Sequence, residues 1–520
     1  MTRCLYLISA IVLLINYSVV SQPYFDTHVE NPHVKNNVFL HRIADSTAIP
    51  VFSDIKNELP QPEWPARPDV LKCYWKAWEL AFKNLHKPAP RSGFISPFID
   101  PAFNGHIFMW DSHFMMMFGR YGSRAFDFQQ TLDNFYAKQH KDGFICREIV
   151  ESDGSDFFER FDVSSTGPNL FPWTEWEYYL NFGDTARLGK VFDPLLAYYQ
   201  WYKAYRSWPD GSYYSSGWGC GMDNQPRLQP GYSFEWSNGK MSWIDITLQE
   251  ILAAKILVKM AYQLHRQDDV RELEKEIPVL SQFVNEKMWD QKSSFYYDRF
   301  SDGSLSKVKS IASFWALLSG VIPAEYLNAF VDHLANPSEF SRTHRVATLS
   351  ADQPDFNPEG GYWKGSIWAP TNYMVLRGLS EYGLDSLAFE IARNHVNNVV
   401  DVFSQTGTLF ENYAPDKIKG NDRKDFVGWT GIVPITDLFE YVFGLRPDVP
   451  NHSLVLDVRL TDEYGVRNYP FGKEGLVDIH VAKRKDPKEM PNVIIKSNIE
   501  FDLNLAWAGG IISIHVTPSR

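Results

Sequence analysis

Two acidic residues in this sequence stand in settings suited to proton transfer. Asp223 lies in Trp218-Gly219-Cys220-Gly221-Met222-Asp223-Asn224-Gln225-Pro226-Arg227. Glycines around one acid, with Asn224 and Arg227 close behind, describe a shaped turn that presents a single carboxyl. Glu411 lies in Gly407-Thr408-Leu409-Phe410-Glu411-Asn412-Tyr413. Flanking by Phe410 and Tyr413 is the setting of a desolvated or stacked carboxylate. Asp111, in Gly105-His106-Ile107-Phe108-Met109-Trp110-Asp111-Ser112, sits where a helix begins, a position that equally suits an N-cap. Arg147 and Glu148 are neighbours that can pair with each other or reach a ligand, and Gly360–Trp368 adds Trp363, Lys364 and Trp368. Two carboxyls converging on an aromatic-lined pocket suit glycosidic bond cleavage. One donates a proton to the leaving oxygen and the other activates water or attacks. Each motif alone is compatible with a structural role, so their placement together carries the functional reading.

Other chemistries leave weaker traces. No zinc signature, P-loop, GxGxxG or GxSxG elbow stands out, so no cofactor is expected. Sugar epimerisation by paired histidines requires His106, His113 or His344 to face one site. The net charge of −12 argues against a nucleic-acid partner, because phosphate binding needs a basic surface. Aromatic residues make up 15%, with 17 Trp, 26 Tyr and 36 Phe, which suits a large core or a sugar-binding cleft.

The elements that position these residues read mainly as helices. Tyr74, Trp75, Trp78, Ala81, Phe82 and Leu85 recur at helical spacing near 70–86. The same test predicts helices near 110–121, 124–139, 172–183, 185–206, 242–265, 270–289, 311–320, 324–337, 367–383, 384–403 and 429–444, twelve in all. Connections within consecutive pairs are short, several with a glycine (Gly122, Gly183, Gly320, Gly383) suited to a left-handed helix end. Connections between pairs are long, roughly 20 to 35 residues, the length at which loops are usually functional. Six such hairpins closing on themselves make an (α/α)6 toroid, with every long loop at one rim. An open solenoid is disfavoured by the lack of a fixed repeat.

Residues 447–520 change character. Leu454–Arg459, Leu476–Ala482, Val493–Ile499 and Ile511–Val516 alternate as strands do, and a small antiparallel β domain is expected beside a helical domain over 66–446. Residues 22–65, with Pro50, Pro60, Pro62 and Pro65, read as an extended lead. Ahead of it, Arg3, an apolar Leu5–Leu14 stretch, and Val19 and Ser21 fit a signal peptide over 1–21 cleaved after Ser21. The mature chain is expected to be exported (periplasmic, secreted or lumenal) without a transmembrane segment, since no later segment reaches about eighteen apolar residues. Of the remaining cysteines, Cys146 and Cys220 pair or, equally, Cys73, Cys146 and Cys220 are buried thiols.

Taken together, Gly221–Arg227, Trp110-Asp111-Ser112, Asp142-Gly143-Phe144-Ile145, Tyr362–Trp368 and Glu411-Asn412-Tyr413 resemble glycoside hydrolase family 63, in the expected order over residues 60 to 445. That family holds processing α-glucosidases and bacterial α-glycosidases, with mannosylglycerate hydrolases and family 37 trehalases as relatives. The resemblance implies the (α/α)6 barrel and hydrolysis with inversion, most readily of α-glucosides or related oligosaccharides. It makes Asp223 the general acid and Glu411 the general base. Trp110 and Asp111 would hold the −1 sugar and Trp363 and Trp368 line it, with Arg147, Glu148, Asn224, Arg227 and Lys364 as further substrate-binding candidates. Where the family has Trp-Arg-Gly-Pro this chain has Trp363-Lys364-Gly365-Ser366, a point charge in place of a planar fork. A trehalase-like activity and a non-catalytic sugar-binding protein are the alternatives on the same scaffold. In an acid–base pair of this kind, Asp223 is expected to be the carboxyl with the raised pKa.

Overall fold

The computed structural model describes residues 30–45, 47–101 and 104–519. The signal-peptide expectation therefore lies outside the described residues. Every segment whose periodicity predicts a helix contains one: α1 (Pro68–Lys83), α2 (Met109–Gly119), α3 (Thr131–Ala137), α4 (Phe171–Phe182), α5 (Thr185–Arg206), α6 (Ile244–Gln263), α7 (Arg271–Phe283), α8 (Trp315–Leu318), α9 (Ala324–Ala335), α10 (Ala369–Glu381), α11 (Asp385–Thr406) and α12 (Ile432–Val442). The last is wound as a wider π-helix. Among the described residues, no helix is long and apolar enough to cross a membrane.

The helices are of two kinds. All residues of α2 and α12 are buried, and most of α6 and α10. A helix that is apolar all round belongs inside. These even-numbered helices pack in succession: α2 on α4, α4 on α6, α6 on α8, α8 on α10, α10 on α12, and α12 back on α2. Helices α1, α3, α5, α7 and α11 lie against them. Helix α7 buries Leu273 and Leu280, seven residues apart on one stripe. Gly378 lets α10 pack tightly on α8, since a Cβ there would stand 2.5 Å from Leu317 Cβ.

The inner helices are stitched at the end remote from Asp111. Arg120, at the close of α2, bonds Tyr373 of α10 (2.9 Å), Glu177 of α4 (3.4 Å) and Glu440 of α12, while Arg377 reaches Glu177 at 2.7 Å. Each of these charged side chains has an oppositely charged partner, which is what makes buried charge tolerable, although Nε of Arg120 and of Arg377 is left without a hydrogen bond. Of the glycines expected to end helices, Gly183, Gly320 and Gly383 adopt positive φ. Gly122 does not. A Cβ there would meet the Trp78 ring at 2.8 Å, so it serves close packing.

The C-terminal region forms two four-stranded sheets. Strand β1 (Gln61–Glu63), from the N-terminal lead, pairs with β3 (Tyr464–Phe471), and the sheet continues through β4 (Gly475–Val481) and β5 (Val493–Ser497). The second sheet includes β2 (Ser453–Val458), β6 (Phe501–Trp507) and β7 (Gly510–Val516). The expectation of a purely antiparallel region is corrected. Strands β2 and β6 run parallel, with Ser453 opposite Asp502, and the long chain between them permits that crossover. Over its described residues the lead holds short 3₁₀ turns, one α-helical turn (Phe52–Ile55) and β1, and is pinned by His33 to Asp193 (2.8 Å) and Asn37 to the Tyr136 carbonyl (2.9 Å).

Gly378→Ala should force α8 and α10 apart and destabilise the protein by about 1–3 kcal/mol, the usual cost of overpacking. The check is the urea midpoint at unchanged slope. An unshifted midpoint would mean that Leu317 yields freely.

Candidate active site

Four loops build one cleft of about 450 Å³. The first enters α2. His106–Phe108 pairs with Glu148–Val150, and the Met109 amide bonds the Arg147 carbonyl at 2.7 Å, so the strand carrying Arg147 clamps the first turn of α2. Trp110 and Asp111 then face the cleft. Asp111 is not a helix cap: that position belongs to Phe108, and Asp111 Oδ1 is buried without a hydrogen-bond partner. Burial first, and then the neighbouring Glu411 charge, hold its carboxyl well above the usual range.

The second loop carries Asp223. A single turn of helix, Gly217–Cys220, is capped by Ser216 and closed by Gly221 in the left-handed region. A Cβ on Gly221 would stand 2.9 Å from the Trp110 ring, so only glycine lets that ring lie against the turn. Asn224 and Gln225 then tie this loop to the third. Asn224 donates to the Gly361 carbonyl (3.1 Å) and accepts from the Trp363 amide (2.9 Å), and Gln225 donates to the carbonyls of Thr348 (2.7 Å) and Trp363 (3.1 Å). Arg227 locks the end of the turn. Its fork bonds Asp245 (2.7 and 2.7 Å) and Asp298 (2.8 and 2.7 Å) and lies over Trp243.

The third loop supplies an aromatic wall. Trp363 and Trp368 stack at 3.9 Å and 11°, with Trp429 5.3 Å from Trp368 and Trp110 edge-on to Trp363. Tyr362, held at φ 64°, directs its hydroxyl to Asp223 Oδ2 at 3.4 Å. A non-glycine residue in that region is a strain that clusters at functional sites. The fourth loop is a hairpin, Phe410–Tyr413 against Gly420–Lys424, with its register broken between Phe410 and Asn412. The irregularity falls at Glu411, and bulges of this kind re-aim side chains. Glu411 Oε2 accepts from the Arg423 amide at 3.3 Å.

Asp223 and Glu411 thus line the same cleft and both are desolvated. Burial raises Asp223 to about 6, opposed by Arg147 and the Tyr362 hydroxyl. Burial raises Glu411 to about 7, opposed by the Arg423 amide and reinforced by Asp422 and then Asp223. The expectation that Asp223 alone is the raised member is corrected: both are raised. Asp223 has the Arg147 guanidinium and the Tyr362 phenol nearby, and Glu411 has the Arg423 amide and guanidinium set against the Asp422 charge.

Trp110, Asp111, Arg147, Asp223, Trp363, Trp368 and Glu411 all line the cleft. Four expected ligand residues do not. Glu148 is buried against Nδ1 of His106 (2.6 Å) and near Arg147 (3.7 Å). Asn224 is spent on the third loop and Arg227 on its two aspartates. Lys364 turns outward to Asp355 at 3.4 Å. The histidines required for epimerisation are likewise elsewhere: His106 on Glu148, His344 on the Ala414 carbonyl (2.8 Å), and His113 beside Thr174, pulled down to about 3 by burial. Trp218, Tyr362, Asp422, Arg423 and Trp429 line the cleft as well, beyond the residues expected from the sequence. Trp218 and Tyr362 stood inside the quoted motifs, whereas Asp422 and Arg423 arrive through hairpin register. Cys73, Cys146 and Cys220 are buried free thiols, so the Cys146–Cys220 bridge does not form. Among the described residues no group of three or more His, Cys, Asp or Glu is placed to hold a metal.

The family model of the mannosylglycerate hydrolase MGH1-like glycoside hydrolase domain matches residues 105–430, the stretch that supplies every wall of this cleft. The protein is a glycoside hydrolase. It belongs to the mannosylglycerate hydrolase MGH1-like family, within the family 63 grouping that its motifs resemble. The chain is 23% identical over 237 residues to a mannosyl-oligosaccharide glucosidase of Saccharomyces cerevisiae, covering 41% of this chain and 27% of that one. It is 29% identical over 148 residues to a mannosylglycerate hydrolase of Thermus thermophilus, 28% of this chain and 34% of that one. The match thus spans about a third or less of either relative. The crystal structure of the family 63 mannosylglycerate hydrolase of Thermus thermophilus with glucose superposes with a TM-score of 0.58 at 19% identity, covering 70% of this chain and 99% of that one, a likeness of fold.

Arg227→Leu should destabilise the protein by about 3–5 kcal/mol, because it leaves Asp245 and Asp298 buried without their cation. Urea unfolding measures it. A midpoint equal to that of the unmutated protein would contradict the anchoring role.

Proposed function

We propose that this chain is an exported inverting α-glycosidase acting on α-glucosides or related oligosaccharides, built on an (α/α)6 toroid. The observation that carries the reading is the pair Asp223 and Glu411, both desolvated, on one tryptophan-walled cleft. The toroid is supported by the even-numbered helices, whose packing order returns to its start. A division into a helical unit over 66–446 and a β unit over 447–520 is supported by the two sheets, with β1 tying the lead to the latter. Export is supported by Arg3 and the apolar Leu5–Leu14, and an exported chain should begin at Gln22 by N-terminal sequencing.

In this mechanism the sugar occupies the pocket of Trp110, Asp111, Trp363 and Trp368. Asp223 protonates the glycosidic oxygen as the bond to the anomeric carbon breaks. Glu411 takes a proton from a water that attacks the opposite face. Asp111, its carboxyl held above the usual range by burial, has an unpartnered Oδ1 to offer a sugar hydroxyl. The working state has Glu411 ionised and Asp223 protonated. The two carboxyls titrate as a pair near pH 6 to 7, and the one-proton form of that pair contains the working state.

Two outcomes follow. Activity expressed as kcat/KM should trace a narrow bell, falling below about pH 6 as Glu411 is fully protonated and above about pH 7 as Asp223 loses its proton. A plateau extending through pH 9 would contradict the assignment. Asp223→Asn should lower kcat on disaccharides by about 10²–10⁴ while ligand binding persists. A screen of maltose, nigerose and trehalose with identification of the released sugar supplies the substrate; exclusive turnover of trehalose would replace this reading with the trehalase-like one, and turnover unchanged in the variant would move the acid elsewhere.

A further inference from the structure

An aromatic cluster continues the cleft outward on the side of Asp223. Trp218 lines the cleft five residues before Asp223 and meets Trp236 edge to face, with ring centres 4.9 Å apart at 65°. Phe158 backs both rings, at 6.4 and 6.2 Å, and carries the Arg147 guanidinium over its face at 4.5 Å. Trp236 is nevertheless 51% exposed, and Phe157, which touches Phe158, is also 51% exposed. Isolated exposed aromatics need no explanation, but a contiguous patch leading out of a cleft does.

The turn that presents Trp236 is held by its backbone. The Gly217 amide donates to the Phe234 carbonyl at 2.5 Å, the Ser164 hydroxyl donates to the Glu235 carbonyl, and the Trp243 indole donates to the Asn238 carbonyl at 3.0 Å. The same contacts fix it to the turn bearing Asp223, since Gly217 lies directly under the Asp223 carbonyl. The open ring is therefore presented in a set geometry, which reduces the ordering cost of binding.

Resting on the hydrolase reading above, the position of the acid says what this shelf faces. The group that Asp223 protonates is the bridging oxygen, so the leaving group departs on the Asp223 side. We infer that the Trp218–Trp236 corner is the leaving-group subsite and that it stacks a pyranose ring, so the substrate is a disaccharide or longer oligosaccharide rather than a glycoside of a small acyclic alcohol or acid. The ring C–H bonds of a pyranose carry partial positive charge and meet the negative face of an indole, while its hydroxyls stay in water at the cleft mouth. A leaving group of a few atoms would make no use of rings outside the cleft.

The test is a binding comparison in the full chain carrying Asp223→Asn, so that ligand is not consumed. Calorimetry with maltose, nigerose and trehalose, each against glucose, gives the disaccharide preference. We expect at least one disaccharide to bind more tightly than glucose, and Trp236→Ala to remove about two- to tenfold of that preference, the range of one aromatic contact. Trp236→Phe, which keeps a flat ring, should retain most of it. Equal weakening of glucose and disaccharide, no preference to lose, or Phe behaving as Ala would each overturn the shelf. Turnover of the same disaccharides by the chain with Asp223 intact reports separately: a preference that Trp236→Ala abolishes without any hydrolysis would keep the shelf and remove the hydrolase reading, whereas hydrolysis with an unmoved preference would do the reverse.

Discussion

The buried fork of Arg227 is the interaction on which the cleft depends. One guanidinium bridges Asp245, in the first turn of α6, and Asp298, on the chain that follows α7, and it is itself almost wholly out of water. Such a pair is a weak source of net stability, because the desolvation of three charges offsets most of their attraction. Its value is positional. The fork is planar and bidentate on both sides, so it admits one orientation of the turn that ends in Arg227. Four residues upstream, Asp223 inherits that orientation. Asn224 and Gln225 pass it to the Tyr362–Trp368 loop, whose stacked indoles form the opposite wall.

The functional electrostatics follow from burial within that frame. Asp111, Asp223 and Glu411 are brought to one space with few cations facing them, and each is raised first by desolvation. Carboxyls raised together by burial exchange protons closer to neutral pH than exposed acids do, which is the condition for one to give a proton while another accepts. Folding supplies the cost of this arrangement elsewhere. The remote end of the even-numbered helices is closed by ion pairs among Arg120, Glu177, Arg377 and Glu440, and at the cleft end Asp111 Oδ1 is left without a partner.

The helical part of the fold was legible because apolar residues recur at 3.6-residue spacing in segments long enough to read, and even the short α8 fell within its expected bounds. The strands were legible in part. Tyr464–Phe471 escaped notice because a bulge and the positive φ of Asn468 interrupt its alternation, whereas Phe501–Trp507 alternates plainly and was passed over. The parallel pairing of β2 with β6 was not legible, since nothing local marks a partner some fifty residues away. In the site, Asp223, Glu411, Asp111 and the tryptophans Trp110, Trp363 and Trp368 stood out because their loops combine glycine with aromatic residues. Arg227 looked the same in sequence, but its partners lie 18 and 71 residues on, and only the folded chain shows that its donors are spent. Asp422 and Arg423 enter by being opposite Glu411 on a hairpin, information carried by register alone.

The central claim is that Asp223 and Glu411 work from opposite faces of the anomeric carbon, with a water between that carbon and the base. Inverting pairs stand about 6.5–9.5 Å apart to admit that water, and retaining pairs about 5–5.5 Å. Proton NMR on freshly released sugar from an α-linked disaccharide separates the two before mutarotation blurs them. The account predicts β-anomer as the first product. α-Anomer appearing first would contradict it and would make Glu411 a nucleophile that forms a covalent intermediate.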